Sequence, residues 1–223
     1  FGDQLKNGTT MSAFTIERGF MDQSVPSYIA LRGMSVETMN LEISSKDKIK
    51  GSFSFKGTGF GLGTTALDAS PDAASTTPVM AANVNFARMT EGGVTVGAPN
   101  FIKSLSINVN NNLRYVEDIS QDTPADVLDG ECTVTGRCET YFGDKSLLEK
   151  FYANTPTSFM FAVTKANQTC VFQIPRATLN GGGNPQATAK NTDTMASFEY
   201  KASLSQDGTA SHVVLDRLEY VEA

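Results

Sequence analysis

Two segments of the chain share one pattern of apolar and polar positions. In each segment the last three apolar residues alternate strictly with polar ones, and the second set follows the first at a constant offset. The positions are Val36, Met39, Leu41 and Ile43 in the first segment and Ile102, Leu105, Ile107 and Val109 in the second. A period of two places one face of a β-strand in a core and the other face in water. The pattern therefore predicts two related, half-buried strands.

A shorter echo follows each of these strands. Residues 49–57 resemble residues 128–136 in their alternation, and the greater distance to the second echo indicates an insertion before it. Two strand pairs therefore recur. Duplicated pairs of half-buried strands favour two sheets packed face to face as a β-sandwich. Such a pattern is typical of a scaffold and does not indicate catalytic chemistry.

Alternation and turn residues predict further strands on both sides of the repeat. The predicted strands are residues 13–20, 27–33, 36–44 and 49–55, then 84–89, 158–164, 170–177 and 195–205. The first four would form a compact antiparallel meander. Gly92 and Gly93 would form the turn after residues 84–89. Residues 180–185 contain three consecutive glycines and are interpreted as a flexible link.

One segment has helical spacing instead. Leu147, Leu148 and Phe151 fall on one face of a helix over residues 145–152, which Asp144 can cap. The Asn-Thr-Pro sequence at residues 154–156 would end this helix. We expect it to be the one substantial helix of a mainly β protein.

Residues 57–83 have a different composition. Glycine occupies every second position at the start, and small or polar residues dominate afterwards. We interpret this range as a long loop. A long loop inside a compact domain is uncommon and usually functional, often because it contacts a partner.

Length and charge limit the classes of function. With 223 residues the chain can bury a self-sufficient core, and residues 1–223 show no clear internal linker, so we expect a single domain. The 19 Gly and 8 Pro fit a fold with frequent turns. The formal net charge of −6 disfavours a protein that grips DNA phosphates. It would suit a wall along which DNA slides, if the acidic residues face the passage.

Neither the cysteines nor the hydropathy of the chain indicates a chemical function. Cys132, Cys138 and Cys170 do not match zinc or thioredoxin-type spacing, and we expect buried free thiols and synthesis in a reducing compartment. No stretch approaches the ~20 apolar residues of a membrane span, so no membrane segment is predicted.

Tests for catalytic and ligand sites give no candidate. His212 is the single histidine, so any catalytic pair would need it, and we interpret it as a surface or edge residue at a strand end. Residues 61–66 fit a dinucleotide fingerprint but lack a βαβ setting, and residues 181–183 lack the Lys of a phosphate loop. Residues 126–131 do not match the spacing of a calcium loop and are interpreted as a solvated acidic turn. Glycosylation patterns at Asn7 and Asn167 are interpreted as coincidental. No catalytic, cofactor or metal site is predicted.

Several segments of the chain occur in a characteristic order, namely residues 14–20, 31–36, 49–57, 102–114, 141–152, 172–177 and 196–202. Their order resembles that of the major tail tube proteins of long-tailed, siphovirus-type bacteriophages. Each motif is of modest specificity, whereas their shared order and spacing extend over nearly the whole chain.

This resemblance implies an antiparallel β-sandwich or barrel of the tail tube type, with one flanking helix and long loops. In that family, copies form hexameric rings that stack into a hollow tube, the conduit for DNA ejection into the host. It further implies a structural virion protein made in the host cytoplasm, without enzymatic activity or cofactor. Tape-measure and terminator proteins would be further partners, and DNA would pass without sequence-specific binding. Family members begin before the position of Phe1, so an upstream portion is expected.

The resemblance also gives the long loop a role. We hypothesise that its isolated apolar residues order against an adjacent subunit. These residues are Phe60, Leu62, Leu67, Val79 and Met80. The alternative is a monomeric β-sandwich that binds carbohydrate or a receptor, such as an adhesin or tail-tip module, although the chain has no Trp for an aromatic binding patch.

Overall fold

The structure is a computed structural model that describes residues 2–74, 79–165, 168–187 and 189–219. The first strands are β1 (Gly2–Lys6), β2 (Phe14–Phe20), β3 (Ser27–Ser44), β4 (Lys50–Lys56), β5 (Gly59–Gly63), β6 (Phe86–Glu91), β7 (Val94–Thr95) and β8 (Ile102–Asn110). The later strands are β9 (Arg114–Val116), β10 (Asp126–Leu128), β11 (Thr133–Tyr141), β12 (Thr157–Lys165), β13 (Gln168–Gly182), β14 (Met195–Ala202) and β15 (Val214–Glu219). The helices are α1 (Ala82–Asn85) and α2 (Ser146–Tyr152). Strands hold 54% of the chain and helices 5%, which confirms a mainly β fold.

The two strands with the repeated pattern lie side by side. β3 and β8 pair antiparallel, and their alternating apolar residues face each other as Met39 with Val109, Leu41 with Ile107 and Ile43 with Leu105. β4 pairs with the other edge of β3, and β11 pairs with the other edge of β8. The predicted recurrence of two strand pairs is therefore confirmed, although the second echo, predicted over residues 128–136, is strand only from Thr133 onward in β11. The insertion in the second pair contains a small hairpin of β9 and β10.

The layers of the sandwich belong to one continuous sheet. Thirteen strands are connected by hydrogen bonds, and the central order runs β3-β8-β11-β14-β13-β12-β6-β7. Residues from both ends of this order share one core cluster, among them Ile107 of β8 and Phe161 of β12. The sheet therefore folds over its own apolar face, as a sandwich whose two layers stay joined through β13 and β14.

Aromatic residues fill the centre of this core. Phe161 stacks on Phe172 with ring centroids 4.8 Å apart. Tyr200 is fully buried, and its hydroxyl donates to the backbone oxygen of Ser106 at 2.8 Å. Gly136 lies against the Tyr200 hydroxyl, where a Cβ would not fit. This buried hydroxyl is therefore satisfied, as burial of a polar group requires.

The predicted four-stranded meander is wrong in one respect. The strands predicted over 27–33 and 36–44 are one 18-residue strand, β3. Gly33 has a positive φ of 62° and marks a bulge at which β3 continues without turning back. Gly33 therefore marks a bulge inside one strand, and the prediction that a strand ends at Gly33 is wrong.

The helix predicted over residues 145–152 is confirmed as α2. Asp144 Oδ1 accepts the Ser146 N–H at 2.8 Å, but Asp144 precedes the N-cap residue, which is Lys145 and makes no side-chain capping bond. At the other end Asn154 adopts a φ of 50°, and the Thr155 N–H donates to the Lys150 oxygen at 3.0 Å. This is a Schellman arrangement, which ends a helix by satisfying its last carbonyl groups.

Three other segments differ from the sequence predictions. The strand predicted over 84–89 begins later, as β6, because α1 occupies its first residues. Residues 180–182 are not a flexible link, since β13 continues to Gly182, where a Cβ would collide with the Ser197 oxygen. β1 was not predicted, and it pairs with the sequence-remote β15.

Candidate functional site

Three strand segments pair only with one another and form a small sheet, which we call the arm. The arm consists of β2, residues 27–32 of β3, and β5. β5 lies inside the range predicted to be a long loop, so that prediction is wrong for residues 59–63. Residues 64–74 form a loop as predicted, and residues 75–78 lie outside the described part of the chain.

One face of the arm is apolar and exposed. Residues opposite each other in neighbouring strands share a face, so two rows of side chains cross the arm. The rows are Ile16, Leu31 and Phe60, and Arg18, Ile29 and Leu62. Phe60 and Leu62 are 64% and 75% exposed. Within the described residues, this face has no second layer comparable to the one that covers the sandwich core.

The opposite face of the arm is covered by the chain itself. β5 places glycine at alternate positions on this face, and Gly61 lies close to the guanidinium of Arg32. The loop after β5 returns over the arm, where the Leu67 N–H donates to Glu17 Oε1 at 2.9 Å. Ala30 is consequently 6% exposed. The middle of this face is therefore covered, although Arg32 at its edge stays exposed.

Two glycines join the arm closely to the sandwich. At Gly33 a Cβ would collide with the Thr58 hydroxyl, and the Thr58 N–H donates to the Arg32 oxygen at 3.1 Å. At Gly57 a Cβ would collide with the Met34 sulfur. The close packing fixes the direction in which the arm leaves the sandwich.

The structure separates the five residues predicted to contact a neighbouring subunit. Phe60 and Leu62 share the apolar face of the arm, and Leu67 is exposed in the loop that follows β5. Val79 is exposed and Met80 is half-buried, and both precede α1 near the other end of β3. Two of the five residues are thus brought together, and the contact itself stays a prediction.

An apolar cavity of about 170 Å³ lies at that other end of β3, and we call it the groove. It opens between the β3–β4 turn, α1 and the beginning of β8, and the Ala82 N–H donates to the Asp47 oxygen at 3.0 Å across it. Its lining includes Ile43, Ala82, Phe86, Ile102 and Leu105, together with Lys46 and Lys103. Val84 of α1 is exposed next to it. The groove is therefore an apolar cavity with a polar edge, at which Lys103 is paired with Glu139 at 3.3 Å.

A third surface is polar and nearly neutral. The side chains of β3, β8, β11 and β14 that point away from the core are mainly Ser, Thr and Asn, and we call this surface the polar face. Several of them bond to one another, such as Asn108 Nδ2 to Asn40 Oδ1 and Arg137 Nε to Ser197 Oγ at 2.5 Å. Their hydrogen-bonding groups are thus partly satisfied within the surface.

A comparison with protein families matches the part of the chain that contains these three surfaces. A family model described as phage tail tube protein matches residues 1–202. The chain belongs to this family. A comparison with curated proteins found no match.

Family membership makes this chain a structural protein of the phage virion, located in the tail. Tail tube proteins assemble with copies of themselves and with other tail proteins. The arm, the groove and the polar face all fall inside the matched range, whereas β15 falls outside it. All three surfaces therefore belong to the part of the chain that matches the tail tube family.

His212 has a structural role in this tube protein. It is half-buried just before β15, and its Nδ1 lies 3.0 Å from the Asn7 amide nitrogen. The predicted position at a strand end is confirmed. Asn7, the first glycosylation candidate, also accepts the His212 N–H at 2.7 Å, and Asn167 lies outside the described residues. The contact joins the chain segment after β1 to the beginning of β15.

The three thiols are free, and only Cys138 is buried, so the prediction of buried thiols is confirmed for one of them. Burial raises the pKa of the Cys138 thiol to about 12, with smaller contributions from Glu91 and Glu139. Burial also raises the pKa of the half-buried Cys132 and Cys170. These thiols stay protonated near neutral pH, which is the unreactive form.

The acidic turn predicted over residues 126–131 is wrong for residues 126–128, which form β10, whereas residues 117–122 between β9 and β10 have local turn contacts. Asp118 accepts the Ser120 N–H at 2.9 Å, and this bond holds the pKa of the Asp118 carboxyl below its usual value. In the ranges that the structure describes, no three His, Cys, Asp or Glu side chains are grouped to hold a metal ion. No described helix has the length and apolar character needed to cross a bilayer.

Sequence reasoning missed part of the arm. Ile16, Ile29 and Leu31 belong to the exposed apolar face but were assigned to ordinary half-buried strands. Their alternation was visible in the sequence. What the sequence could not show was that these half-buried residues continue into the exposed Phe60 and Leu62, because that depends on the pairing of β5 with β3.

Proposed function

We propose that this protein forms hexameric rings that stack into the tube of a siphovirus-type phage tail, through which DNA is ejected into the host. The observation that carries the proposal is the apolar face of the arm. A contiguous exposed apolar surface on a folded domain marks an interaction site. In a tail tube protein the most direct partner for such a surface is another copy of the chain.

Two further features support a tube. The sandwich forms its core from its own strands, so it can fold before it assembles. The arm, in contrast, is a three-stranded sheet, and its exposed apolar face would be covered by a neighbouring copy. A subunit with this division can fold alone and bury the apolar face of its arm when it assembles.

The polar face suits the inside of the tube. Side chains of Ser, Thr and Asn that bond to one another offer few cations to DNA phosphates, so DNA gains little from counterion release there. The net charge of −6 acts in the same direction. We therefore assign the polar face to the passage and expect DNA to slide along it without sequence-specific binding.

The remaining parts of the proposal concern synthesis and partners. Protonated, unpaired thiols fit production in the reducing cytoplasm of the bacterial host. Tape-measure and terminator proteins would contact the two ends and the interior of the tube during assembly. The proposed activity is structural, with no reaction catalysed. The family match favours this function over a monomeric carbohydrate-binding or receptor-binding module.

The proposal is tested by negative-stain electron microscopy of the purified chain over a range of concentrations. We expect six-fold rings and stacked tubes. A Phe60→Ser/Leu62→Ser variant should unfold at the same urea concentration as the unsubstituted protein but form few tubes. Val94→Ser, an equally exposed apolar residue on β7, serves as the control and should assemble normally. A chain that remains monomeric at all concentrations would refute the proposal.

A further inference from the structure

We propose that neighbouring copies in a ring overlap at the edges of their sandwiches, with β4 of one copy packed face to face on β1 and β15 of the next. Phe53 and Phe55 of one copy would then cover Leu5 and Leu215 of the other. This inference rests on the proposed rings and adds the contact that joins one copy to its neighbour within a ring.

The two layers of the sandwich extend past each other at opposite sides. Layer one has the strand order β4-β3-β8-β11-β14, and layer two has the order β1-β15-β13-β12-β6-β7. β14 and β15 pair with the same edge of β13, because β12 occupies its other edge. β1 therefore lies on the side where the layers are joined, and β4 lies at the far side of layer one.

One row of core residues runs out of the sandwich at β4. The row crosses four paired strands as Val134, Val109, Met39 and Phe53. Residues opposite each other in neighbouring strands share a face, so Phe53 points to the core side of layer one. The exposed fraction nevertheless rises from 0% at Val134 and 8% at Val109 to 57% at Phe53. Layer two therefore ends before it covers Phe53.

Aromatic rings make this uncovered surface apolar, and we call Phe53 and Phe55 the β4 edge. The two rings stack with their centroids 6.3 Å apart, and the Phe14 ring meets Phe55 edge-on at 5.6 Å. The lysines at the two ends of β4 alternate with the phenylalanines and so face the other side of the strand. They are paired with Asp47 and Glu37. The core side of β4 is therefore an uncharged aromatic surface.

A second row of core residues runs out of the sandwich at the opposite side. It crosses five strands as Met89, Phe161, Phe172, Leu215 and Leu5. Phe161 is 1% exposed, Phe172 and Leu215 are half-buried, and Leu5 is 53% exposed. Layer one therefore ends before it covers the last two residues of this row, which we call the β1 edge.

The charges beside the β1 edge offset each other. Asp3 and Arg217 end the neighbouring row and form an ion pair, in which Arg217 Nε donates to Asp3 Oδ1 at 2.9 Å. Lys6 alternates with Leu5 along β1 and points to the other face. These side chains therefore bring no net charge into the proposed contact.

The direction of the uncovered faces selects how two copies meet. The core faces of the two layers point towards each other, so the apolar sides of the β4 edge and the β1 edge point in opposite directions. Packing face to face, at the ~10 Å separation of stacked sheets, buries both sides together. Side-by-side pairing of the two strands would leave Phe53 and Leu5 on opposite faces of the joined sheet.

The contact is between unlike edges, so each copy offers its β4 edge to one neighbour and its β1 edge to the other. Such a contact generates a ring where the rotation between copies closes. Layer one of each copy packs on layer two of the next in the same way, so the polar face stays on the same side of every copy. The polar faces would therefore line one continuous passage.

Disulfide trapping tests the contact in assembled tubes. The variant is Leu5→Cys/Phe53→Cys in a chain whose Cys132 and Cys170 are replaced by Ala. Oxidation should give a ladder on a non-reducing gel that ends at six copies, because the contact closes within a ring. Neither single variant should give a ladder. The matched control is Leu5→Cys/Phe101→Cys, since Phe101 is 56% exposed but lies on neither edge.

Three results of the trapping experiment would overturn the contact. They are tubes without a ladder, a ladder that continues beyond six copies, and a ladder from the control pair. A chain that forms neither rings nor tubes would refute the proposed function together with this contact, whereas tubes without the ladder would refute the contact alone.

Loss of one apolar side chain gives an independent test. Phe53→Ser should raise the concentration needed for ring formation at least about tenfold, because an apolar contact is lost at every interface of the ring. Leu5→Ser should have an effect in the same direction. Both variants should unfold at the same urea concentration as the unsubstituted protein, since the side chains are exposed in the single copy. Phe101→Ser is the control, and equal assembly of Phe53→Ser and this control would contradict the contact.

Discussion

The two halves of β3 have the same alternating pattern but different surroundings. In the second half, Ile43 is 5% exposed, pairs with Leu105 of β8 and belongs to the core cluster of the sandwich. In the first half, Ile29 and Leu31 lie on a face that ends at the exposed Phe60 and Leu62. Alternation therefore specifies that one face of a strand is to be covered, and the rest of the fold decides whether the same chain covers it.

Core deletion should separate the two regions most strongly. Phe161→Ala removes a ring stacked on Phe172 and should lower the free energy of unfolding by about 3–5 kcal/mol. Phe60→Ala should change it by less than about 0.5 kcal/mol in the monomer, because the side chain is already exposed. Urea unfolding of both variants measures the difference. Equal losses would mean that the arm is part of the same cooperative core.

Removal of one partner of a buried ion pair should have the next largest effect on the free energy of unfolding. Glu91 is buried and paired with Lys150 at 2.6 Å, so Lys150→Met leaves a buried carboxylate without its cation and should cost about 3 kcal/mol. Adding Glu91→Gln should recover part of this loss. Arg18→Met on the arm is the control, with an expected change below about 0.5 kcal/mol in urea unfolding. A similar loss at Arg18 would contradict the distinction between the regions.

The connection between the regions is tested at Gly33. Gly33→Ala forces a side chain into a positive φ and against the Thr58 hydroxyl, with an expected cost of about 1–3 kcal/mol. Thr58→Ala in the same chain should relieve the collision but not the backbone strain. Gly59→Ala, where a Cβ has open space, is the control for the loss of a glycine. Thermal unfolding compares the three variants, and a neutral Gly33→Ala would show that the joint is loose.

The smallest expected effect is a difference in thiol reactivity between the two regions. Cys138 should resist alkylation at pH 8 in the folded monomer, whereas an introduced Leu62→Cys should react rapidly and become protected in tubes. Burial raises the pKa of the Cys138 thiol to about 12 from a usual value of 9.0. The unfolded chain therefore loses this proton first, so the contribution of Cys138 to stability should be complete below pH 9 and decline as the pH rises towards 12. Mass spectrometry of labelled peptides tests the reactivity, and rapid labelling of Cys138 would contradict its burial.

Much of the sandwich could be predicted from local pattern. The alternation in β3 and β8 and the helical spacing of α2 are short-range signals, and the structure confirms them. β1 gave no such signal, because its pairing partner β15 lies at the far end of the chain. Local preference could not reveal a strand that forms through a remote contact.

The candidate site was harder to predict. Glycine is unfavourable in strands, so residues 59–63 were interpreted as loop, although their alternate positions allow the chain to cover one face of the arm. Phe60 and Leu62 were singled out as isolated apolar residues, and both are exposed, while their contact with a neighbouring subunit stays a prediction. The groove joins residues of β3, α1 and β8, and the sequence alone could not bring them together.

A three-dimensional reconstruction of the assembled tail tube by electron cryo-microscopy tests the central claim most directly. The account predicts that Phe60 and Leu62 are buried against an adjacent copy, while the sandwich core keeps the packing that it has in the single chain. Arms whose apolar faces remain exposed to solvent in the assembled tube would contradict it.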